Sequence, residues 1–301
     1  MEKRIIKLIE EKGPLTGAEI HAVITEDPLH LWRTCRTSGN LATRIAGTRY
    51  LRLDRKIEGY ARLSPSILRE FLTYSLVGLP GDNASLARRA DEILMHVEAV
   101  SKSKLNMANS IVSTLAGRIG DEQLLIEQAC FIIAGDIAFN MAHDVPRPER
   151  STGKLVKGSD IDIVVIVDDR FPKKMVERLD EEIYKEKYSL LINPHLREEL
   201  DYIVKDLNRV REQLNFDTFK RMVACKIIQE GRFLYGSRKI FSSVKTMLSE
   251  NGVLEKIITM ENSAKEFRRK GEEYLMEEDP SKFNEESLNL FYPSEESEEF
   301  E

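Results

Sequence analysis

Cysteine is scarce in this sequence, and so are the features of several other protein classes. The three cysteines, Cys35, Cys130 and Cys225, lie far apart and form no C-x-x-C pair. This argues against a disulfide scaffold and a cysteine zinc site, and is typical of a reducing compartment. No run approaches ~18 consecutive apolar residues, so no transmembrane helix is predicted. The first residues mix charges into their apolar run, unlike a secretory signal. We therefore expect a cytoplasmic protein with no membrane segment.

The charge of the chain is unevenly distributed. Of its 301 residues, 42% are apolar and 32% are charged, which is typical of a soluble globular protein of this length with two domains. The net charge is −6, but residues 271–301 carry twelve acidic side chains against one lysine, so the other 270 residues sum to +5. Residues 33–56 hold seven basic side chains against a single aspartate. The sequence therefore has a basic front end and an acidic back end.

The N-terminal residues predict three short helices followed by a hairpin. Residues 3–9 carry apolar side chains at helical spacing. Thr16 and Glu19 have the spacing of a capping box that opens a second helix, and Pro28, after an aspartate, begins a third. Residues 49–63 alternate polar and apolar side chains on either side of a loop, as a hairpin does. This order is typical of a winged helix-turn-helix.

We predict a winged helix-turn-helix-like domain over residues 1–80 that binds nucleic acid through residues 27–62. The third helix would enter the major groove, and the hairpin would contact the backbone. The residues expected to contact nucleic acid are Arg33, Arg36, Arg49, Arg52, Arg55 and Lys56. The alternative is a winged helix used for protein contacts or for a homodimer, with the arginines as an ordinary solvated surface.

The rest of the chain changes character along its length. Apolar side chains that recur every three or four residues predict a helical connector over residues 81–121, with a break near Ser101. Residues 122–240 mix strands with helices, and residues 241–276 are predicted to be helical. The acidic tail, residues 277–301, is expected to be disordered. It either solubilises the chain or acts as an internal mimic that competes for the basic front end.

Three aspartates have the spacing of a metal site. Asp160 and Asp162 lie two apart at the start of an apolar run, residues 161–167, that indicates a buried strand. Period 2 places both carboxylates on one face of this strand. Carboxylates held together repel each other unless a cation lies between them, and their oxygens suit Mg²⁺. Two-metal phosphoryl transfer needs a third carboxylate on a neighbouring strand, and Asp201, in the alternating run 199–204, supplies one.

Residues 158–165, Gly-Ser-Asp-Ile-Asp-Ile-Val-Val, resemble the Gly-Ser-Asp-hydrophobic-Asp element of the DNA polymerase β-like nucleotidyltransferase superfamily. An apolar strand that ends at Gly135-Asp136 takes the place of the family's strand–Gly-Ser–helix element. Residues 227–236 resemble the helix-into-strand segment that often closes its catalytic core. The resemblance covers about residues 125–240. It implies an α/β (α+β) core with a mixed sheet, and transfer of a nucleoside monophosphate from an NTP with release of pyrophosphate.

The resemblance also implies roles for individual residues. Asp160 and Asp162 would hold two Mg²⁺ ions. Asp201 would complete the coordination of the second ion and lower the pKa of the attacking hydroxyl. Gly135 would let the backbone approach the phosphates closely. The acceptor stays open: a tRNA end, another nucleotide, an antibiotic or a protein hydroxyl. A second hypothesis is a DNA-binding regulator whose degenerate nucleotidyltransferase-like domain senses a nucleotide without turning it over.

Two departures from the family pattern concern the phosphates. Asp136 takes the place of the family's serine or glycine and would bring negative charge there. The stretch from Gly135 to Asp160 is also longer than in the family. We expect the basic residues of this stretch to take over triphosphate binding, with Asp136 contacting a metal ion or the ribose. The residues expected to contact the nucleotide are Gly135, Asp136, Ser159, Lys154 and Lys157, joined by Arg147 and Arg150.

Overall fold

The structure, a computed structural model, describes residues 1–149 and 152–292. Its α-helices are α1 (Glu2–Lys12), α2 (Gly17–Val23), α3 (Pro28–Thr37), α4 (Ile67–Arg69), α5 (Asn83–Ile119), α6 (Glu122–Gln128), α7 (Gly135–Ala138), α8 (Lys173–Ile192), α9 (Leu207–Gln213), α10 (Phe219–Glu230), α11 (Arg238–Glu250), α12 (Val253–Glu277) and α13 (Glu285–Phe291), with a π-helix at Glu70–Tyr74 and a 3-10 helix at Pro280–Lys282. Its strands are β1 (Leu15–Thr16), β2 (Ala42–Ile45), β3 (Tyr50–Leu53), β4 (Ala61–Ser64), β5 (Ser75–Gly78), β6 (Ala129–Ile133), β7 (Pro146–Pro148), β8 (Leu155–Lys157), β9 (Ile161–Val167), β10 (Leu200–Asp206) and β11 (Arg232–Gly236). None of the helices in the described residues has the length and apolarity that crossing a bilayer requires.

The elements form two compact units. The terminal unit consists of Met1–His96 and the described chain from Thr259, and the central unit consists of Val97–Ile258. Two long helices, α5 and α12, each run from one unit into the other. The predicted connector and the predicted C-terminal helical segment therefore each contribute to both units.

Helix α5 is continuous, so the predicted break near Ser101 is wrong. The Ser101 hydroxyl donates to the Val97 carbonyl, one turn earlier, at 2.8 Å. A serine that bonds back to its own helix satisfies its polar group without interrupting the helix.

The terminal unit contains a three-stranded antiparallel sheet in which β5 lies between β1 and β2. Thr16 and Glu19 each accept a hydrogen bond from the other's backbone N–H, so the predicted capping box of α2 is confirmed. The Asp27 side chain caps α3, whose first residue is Pro28, as predicted. Buried side chains of α1, α2 and α3 form one core with residues of this sheet.

The basic hairpin lies where predicted, but among the described residues it is not part of the three-stranded sheet. Strand β3 pairs with β4, and among the described residues these two strands form a sheet of their own. The strand directly after α3 is β2, which pairs with β5. Every residue of β5 is buried, because its Ser-Leu-Val-Gly sequence carries no charge and suits the centre of a sheet. The hairpin is thus an insertion between β2 and β5.

The acidic tail is ordered over residues 278–292, which differs from the prediction of disorder. Its helix α13 places Phe291 at 0% exposure in the core of the terminal unit. The rings of Phe291 and Trp32 have centroids 5.6 Å apart. A few apolar side chains among the glutamates therefore bury enough surface to order this segment, which overall charge did not indicate. The rest of the predicted disordered tail, residues 293–301, lies outside the described residues.

The central unit is organised by a mixed sheet, which among the described residues has the order β10-β9-β6-β11. Strands β10 and β9 are parallel and joined by α8, and the other pairs are antiparallel. Phe131, Ile163 and Val165 are buried on one face in a core shared with α5 and α8. Alternation along the strands directs Asp162 and Asp201 to the opposite face. The predicted mixed α+β fold is confirmed.

Candidate metal centre

Three carboxylates converge at one end of the mixed sheet. Asp162 is the second residue of β9 and pairs in register with Asp201 of the parallel strand β10. Asp160 directly precedes β9. Carboxylate oxygens of the three residues lie within 4.8 Å of one another. The structure therefore brings together the three residues that the sequence predicts as metal ligands.

This cluster has the donor atoms and the spacing that a small divalent cation needs. Asp162 is buried, and Asp160 and Asp201 are half-buried. Like charges at this distance repel, and partial burial weakens the screening by water. Mg²⁺ binds carboxylate oxygens at about 2.0–2.1 Å, so oxygens this close can share an ion. An all-oxygen donor set fits Mg²⁺.

Basic side chains already lie against the cluster. Lys187 of α8 donates to Asp201 Oδ1 at 2.6 Å. Arg147 of β7 places Nη2 at 3.5 Å from Asp160 Oδ2 and at 2.8 Å from Glu199 Oε2. The negative charge of the cluster is therefore partly balanced within the chain.

Glu199 is a further carboxylate on this face that the predicted motif does not include. It lies two residues before Asp201, just as Asp160 lies two residues before Asp162, so period 2 places it beside them. Burial raises the pKa of Glu199, Arg147 opposes this shift, and the charges of Asp160 and Asp201 add to it. The i, i+2 spacing from Asp201 is the signal in the sequence that identifies Glu199.

Gly135 follows β6 and makes room for a cluster carboxylate. Its φ is +65°, a left-handed conformation that favours glycine. A Cβ at this position would lie 2.1 Å from Asp162 Oδ2. The Gly135 N–H donates to Glu230 Oε1 at 3.1 Å, and Glu230 forms an ion pair with Lys226. The close approach at Gly135 is thus to Asp162, whereas the family resemblance predicts an approach to phosphates.

Asp136 and Ser159, both expected to contact the nucleotide, bond to each other, and contact of either with the nucleotide stays a prediction. The Ser159 hydroxyl donates to Asp136 Oδ2 at 2.6 Å and accepts from the His143 N–H at 3.1 Å. Both residues are buried. A buried carboxylate requires a hydrogen-bond donor, and the Ser159 hydroxyl provides one here.

The lysines expected to bind the triphosphate lie on the hairpin of β7 and β8. Lys157 donates through Nζ to the His195 carbonyl at 2.8 Å. Lys154 is exposed near the tip of the hairpin. Arg150 lies outside the described residues. Triphosphate contact by Lys154 or Lys157 stays a prediction.

A buried ion pair joins the two segments that carry the cluster. Lys104 of α5 is 3% exposed, pairs with Glu198 and donates to the Lys157 carbonyl at 2.8 Å. We expect Lys104→Met to lower the free energy of unfolding by about 3–5 kcal/mol, because Glu198 would be left buried without its partner. Urea unfolding followed by circular dichroism measures this.

The control for this prediction is the double variant Lys104→Met/Glu198→Gln. It removes both charges and should recover most of the lost stability. Equal stability of the single variant and the wild type would contradict the structural role of the pair.

The arginines expected to contact nucleic acid are partly engaged inside the terminal unit. Arg49 donates to Glu70 Oε2 at 2.5 Å and to Glu272 Oε1 at 2.9 Å. Arg36 donates to Thr43 Oγ1 at 3.2 Å. Because Glu70 is buried, Arg49 neutralises an internal charge, and nucleic-acid contact by Arg36 or Arg49 stays a prediction.

The other predicted nucleic-acid residues have different surroundings. The guanidinium carbon of Arg33 lies 5.8 Å from the ring centroid of Phe283. Arg52 lies on β3, and Arg55 and Lys56 are exposed on the turn that follows it. Nucleic-acid binding through these residues stays a prediction, as does a homodimer.

A family model described as a nucleotidyltransferase domain matches residues 150–228. The matched segment includes β8, β9, α8, β10 and α9, and with them all three clustered aspartates. Gly135 and Glu230 lie outside it. No curated protein and no solved structure matches the chain. The part of the chain with a recognised relationship is therefore the part that carries the carboxylate cluster.

Proposed function

We propose that this chain is a Mg²⁺-dependent nucleotidyltransferase that moves a nucleoside monophosphate from an NTP to a hydroxyl acceptor and releases pyrophosphate. The observation that carries the proposal is the cluster of Asp160, Asp162 and Asp201. Its oxygens lie within 4.8 Å of one another, inside the segment that matches the nucleotidyltransferase domain. Carboxylates that converge from neighbouring strands supply what two-metal phosphoryl transfer requires.

The family resemblance suggests roles for the three aspartates, and their convergence supports these roles. Asp160 and Asp162 would hold both metal ions, and Asp201 would complete the coordination of the second ion. Bound Mg²⁺ would supply Lewis acidity that activates the acceptor hydroxyl and neutralises phosphate charge. In the reaction the acceptor hydroxyl would give its proton to solvent water, and its oxygen would bond to the α-phosphorus. The bond from that phosphorus to the bridging oxygen breaks, and pyrophosphate leaves with the electron pair.

Pyrophosphate release from each of the four NTPs tests this proposal. The reactions contain Mg²⁺ and one acceptor class at a time: tRNA, a nucleotide, a hydroxyl-bearing antibiotic or protein. We expect release with at least one NTP, its loss when EDTA removes the metal, and transfer of an α-phosphate label to the acceptor while a γ-phosphate label stays in solution. Failure of every NTP and acceptor combination would contradict the activity.

A nucleotide-sensing domain without turnover is the second candidate. It is favoured by the basic side chains at the cluster, since Lys187 pairs with Asp201 and Arg147 with Asp160, and both neutralise carboxylates that a metal ion would need. Such a domain would bind an NTP and release no pyrophosphate. Equilibrium binding of the NTP, measured beside the release assay, separates the two functions.

A further inference from the structure

Arg147 has an orientation at the cluster that is set from two sides. Its Nε donates to the Gly158 carbonyl at 2.8 Å, and its Nη2 lies 2.8 Å from Glu199 Oε2. These contacts hold the plane of the guanidinium next to Asp160, whose Oδ2 is 3.5 Å from Nη2. A guanidinium has donors on all three nitrogens, and within the described residues Nη1 has no hydrogen-bond partner. The Arg147 side chain is 30% exposed, so part of it is open to solvent.

Several other groups expected to bind the triphosphate are engaged elsewhere, whereas Lys154 is exposed near the tip of the hairpin. Asp136 and Ser159 bond to each other, and Lys157 donates to a backbone carbonyl. The backbone N–H of Gly135 donates to the Glu230 carboxylate, where a phosphate would meet negative charge. Arg147 therefore combines a basic group, an unused donor and a position beside the metal-binding carboxylates.

We propose that Arg147 binds the phosphate chain of the NTP through Nη1, and that Glu199 is a positioning residue that holds its guanidinium in place. This rests on the proposed function, in which Asp160, 3.5 Å from Arg147 Nη2, would hold Mg²⁺ and with it the phosphates. A planar guanidinium binds phosphate oxygens with charge-assisted hydrogen bonds while its other nitrogens keep their contacts. When the bond from the α-phosphorus to the bridging oxygen breaks, Arg147 stabilises the charge that pyrophosphate carries away.

Binding of inorganic triphosphate in the presence of Mg²⁺ tests the proposal, measured by isothermal titration calorimetry on the full chain. This probe carries the phosphate chain without a base, so the unknown base preference does not matter. We expect Arg147→Gln to weaken triphosphate binding by about 10- to 100-fold, the loss that follows from removing a hydrogen bond between charged groups. Arg147→Lys keeps the positive charge but lacks the planar guanidinium, so its triphosphate affinity should lie between those of the wild type and Arg147→Gln.

The control is Arg170→Gln. Arg170 pairs with Asp168 beyond the other end of β9, and its side chain is 86% exposed, so we expect wild-type triphosphate binding. Binding of Mg²⁺ alone is the second readout. Since Arg147→Gln removes a positive charge beside the carboxylates, Mg²⁺ should bind at least as tightly as in the wild type.

Glu199 is tested by a pair of variants. Glu199→Ala removes the contact that holds Nη2, so triphosphate binding should weaken. Glu199→Gln keeps an acceptor oxygen for Arg147 and should restore most of that binding. If Glu199→Ala and Glu199→Gln bind triphosphate with equal affinity, the positioning role of Glu199 is overturned.

Two results would overturn the role of Arg147. One is triphosphate binding by Arg147→Gln equal to that of the wild type. The other is a parallel loss of Mg²⁺ and triphosphate binding, which would mean that Arg147 only maintains the fold of the cluster. Failure of the proposed function gives a different result: the wild type releases no pyrophosphate from any NTP, while triphosphate binding and its dependence on Arg147 are still measured directly.

Discussion

Replacing Asp162 with asparagine is expected to reduce Mg²⁺-dependent pyrophosphate release by more than about 100-fold. Mutation of residues that only hydrogen-bond to metal ligands already costs about 10- to 100-fold in metal affinity or activity, and loss of a ligand should cost more. Asp162 is the most buried aspartate of the cluster and pairs in register with Asp201. Asparagine keeps the size of the side chain and removes the charge that draws the cation. Initial rates of release over a range of Mg²⁺ concentrations measure the effect.

The matched control is Asp168→Asn. Asp168 follows the same strand at its other end, where its carboxylate bonds to Arg170. We expect wild-type rates from this variant. Equal rates for Asp162→Asn and the wild type would remove the basis for the metal centre, whereas unfolding of Asp162→Asn, visible by circular dichroism, would direct the test to Asp160→Asn.

Replacing Gly135 with alanine is the second change with a large expected effect. The new Cβ would lie 2.1 Å from Asp162 Oδ2, which is much closer than van der Waals contact. The Asp162 carboxylate therefore has to move. Displacement of a catalytic group by about 1 Å can cost about 100-fold in rate, and we expect a loss of at least that size. The positive φ adds about 1–2 kcal/mol of strain to the folded chain. Pyrophosphate release and urea unfolding measure the two effects separately.

Gly120→Ala separates strain from displacement. Gly120 has a φ of +77°, and a Cβ there meets nothing within 4 Å. This variant should lose a similar amount of stability and keep its activity. If Gly135→Ala loses no more activity than Gly120→Ala, the close approach to Asp162 has no functional consequence.

The regular elements and the central motif could be predicted from local sequence. The apolar runs around Asp162 and Asp201 predict buried strands, and β9 and β10 lie there. The capping box of Thr16 and Glu19 is set by residues three apart, and it forms as predicted. Such features depend on the alternation of side chains and on contacts between residues a few positions apart. Both can be read from a short stretch of sequence.

Charge was a poorer guide, because the partner of a charged residue is often distant in the chain. Arg49 belongs to a basic stretch, yet it bonds to Glu272, 223 residues away. Asp136 carries a negative charge that the sequence predicts to oppose phosphate binding, yet it is bonded to Ser159 inside the unit. Counting acidic residues predicted disorder where Phe291 enters a core. In each case burial and pairing decide what the charge does.

By itself, the order of residues determined the strands that carry Asp160, Asp162 and Asp201 and the face to which each aspartate points, because the pleat of a strand has a period of two residues. Only the tertiary structure decided how these strands lie in register, that Glu199 and Arg147 meet beside the aspartates, and that Gly135 leaves room for Asp162. Contacts of this kind form between segments separated by many residues. They depend on how the segments pack together, which no local periodicity records.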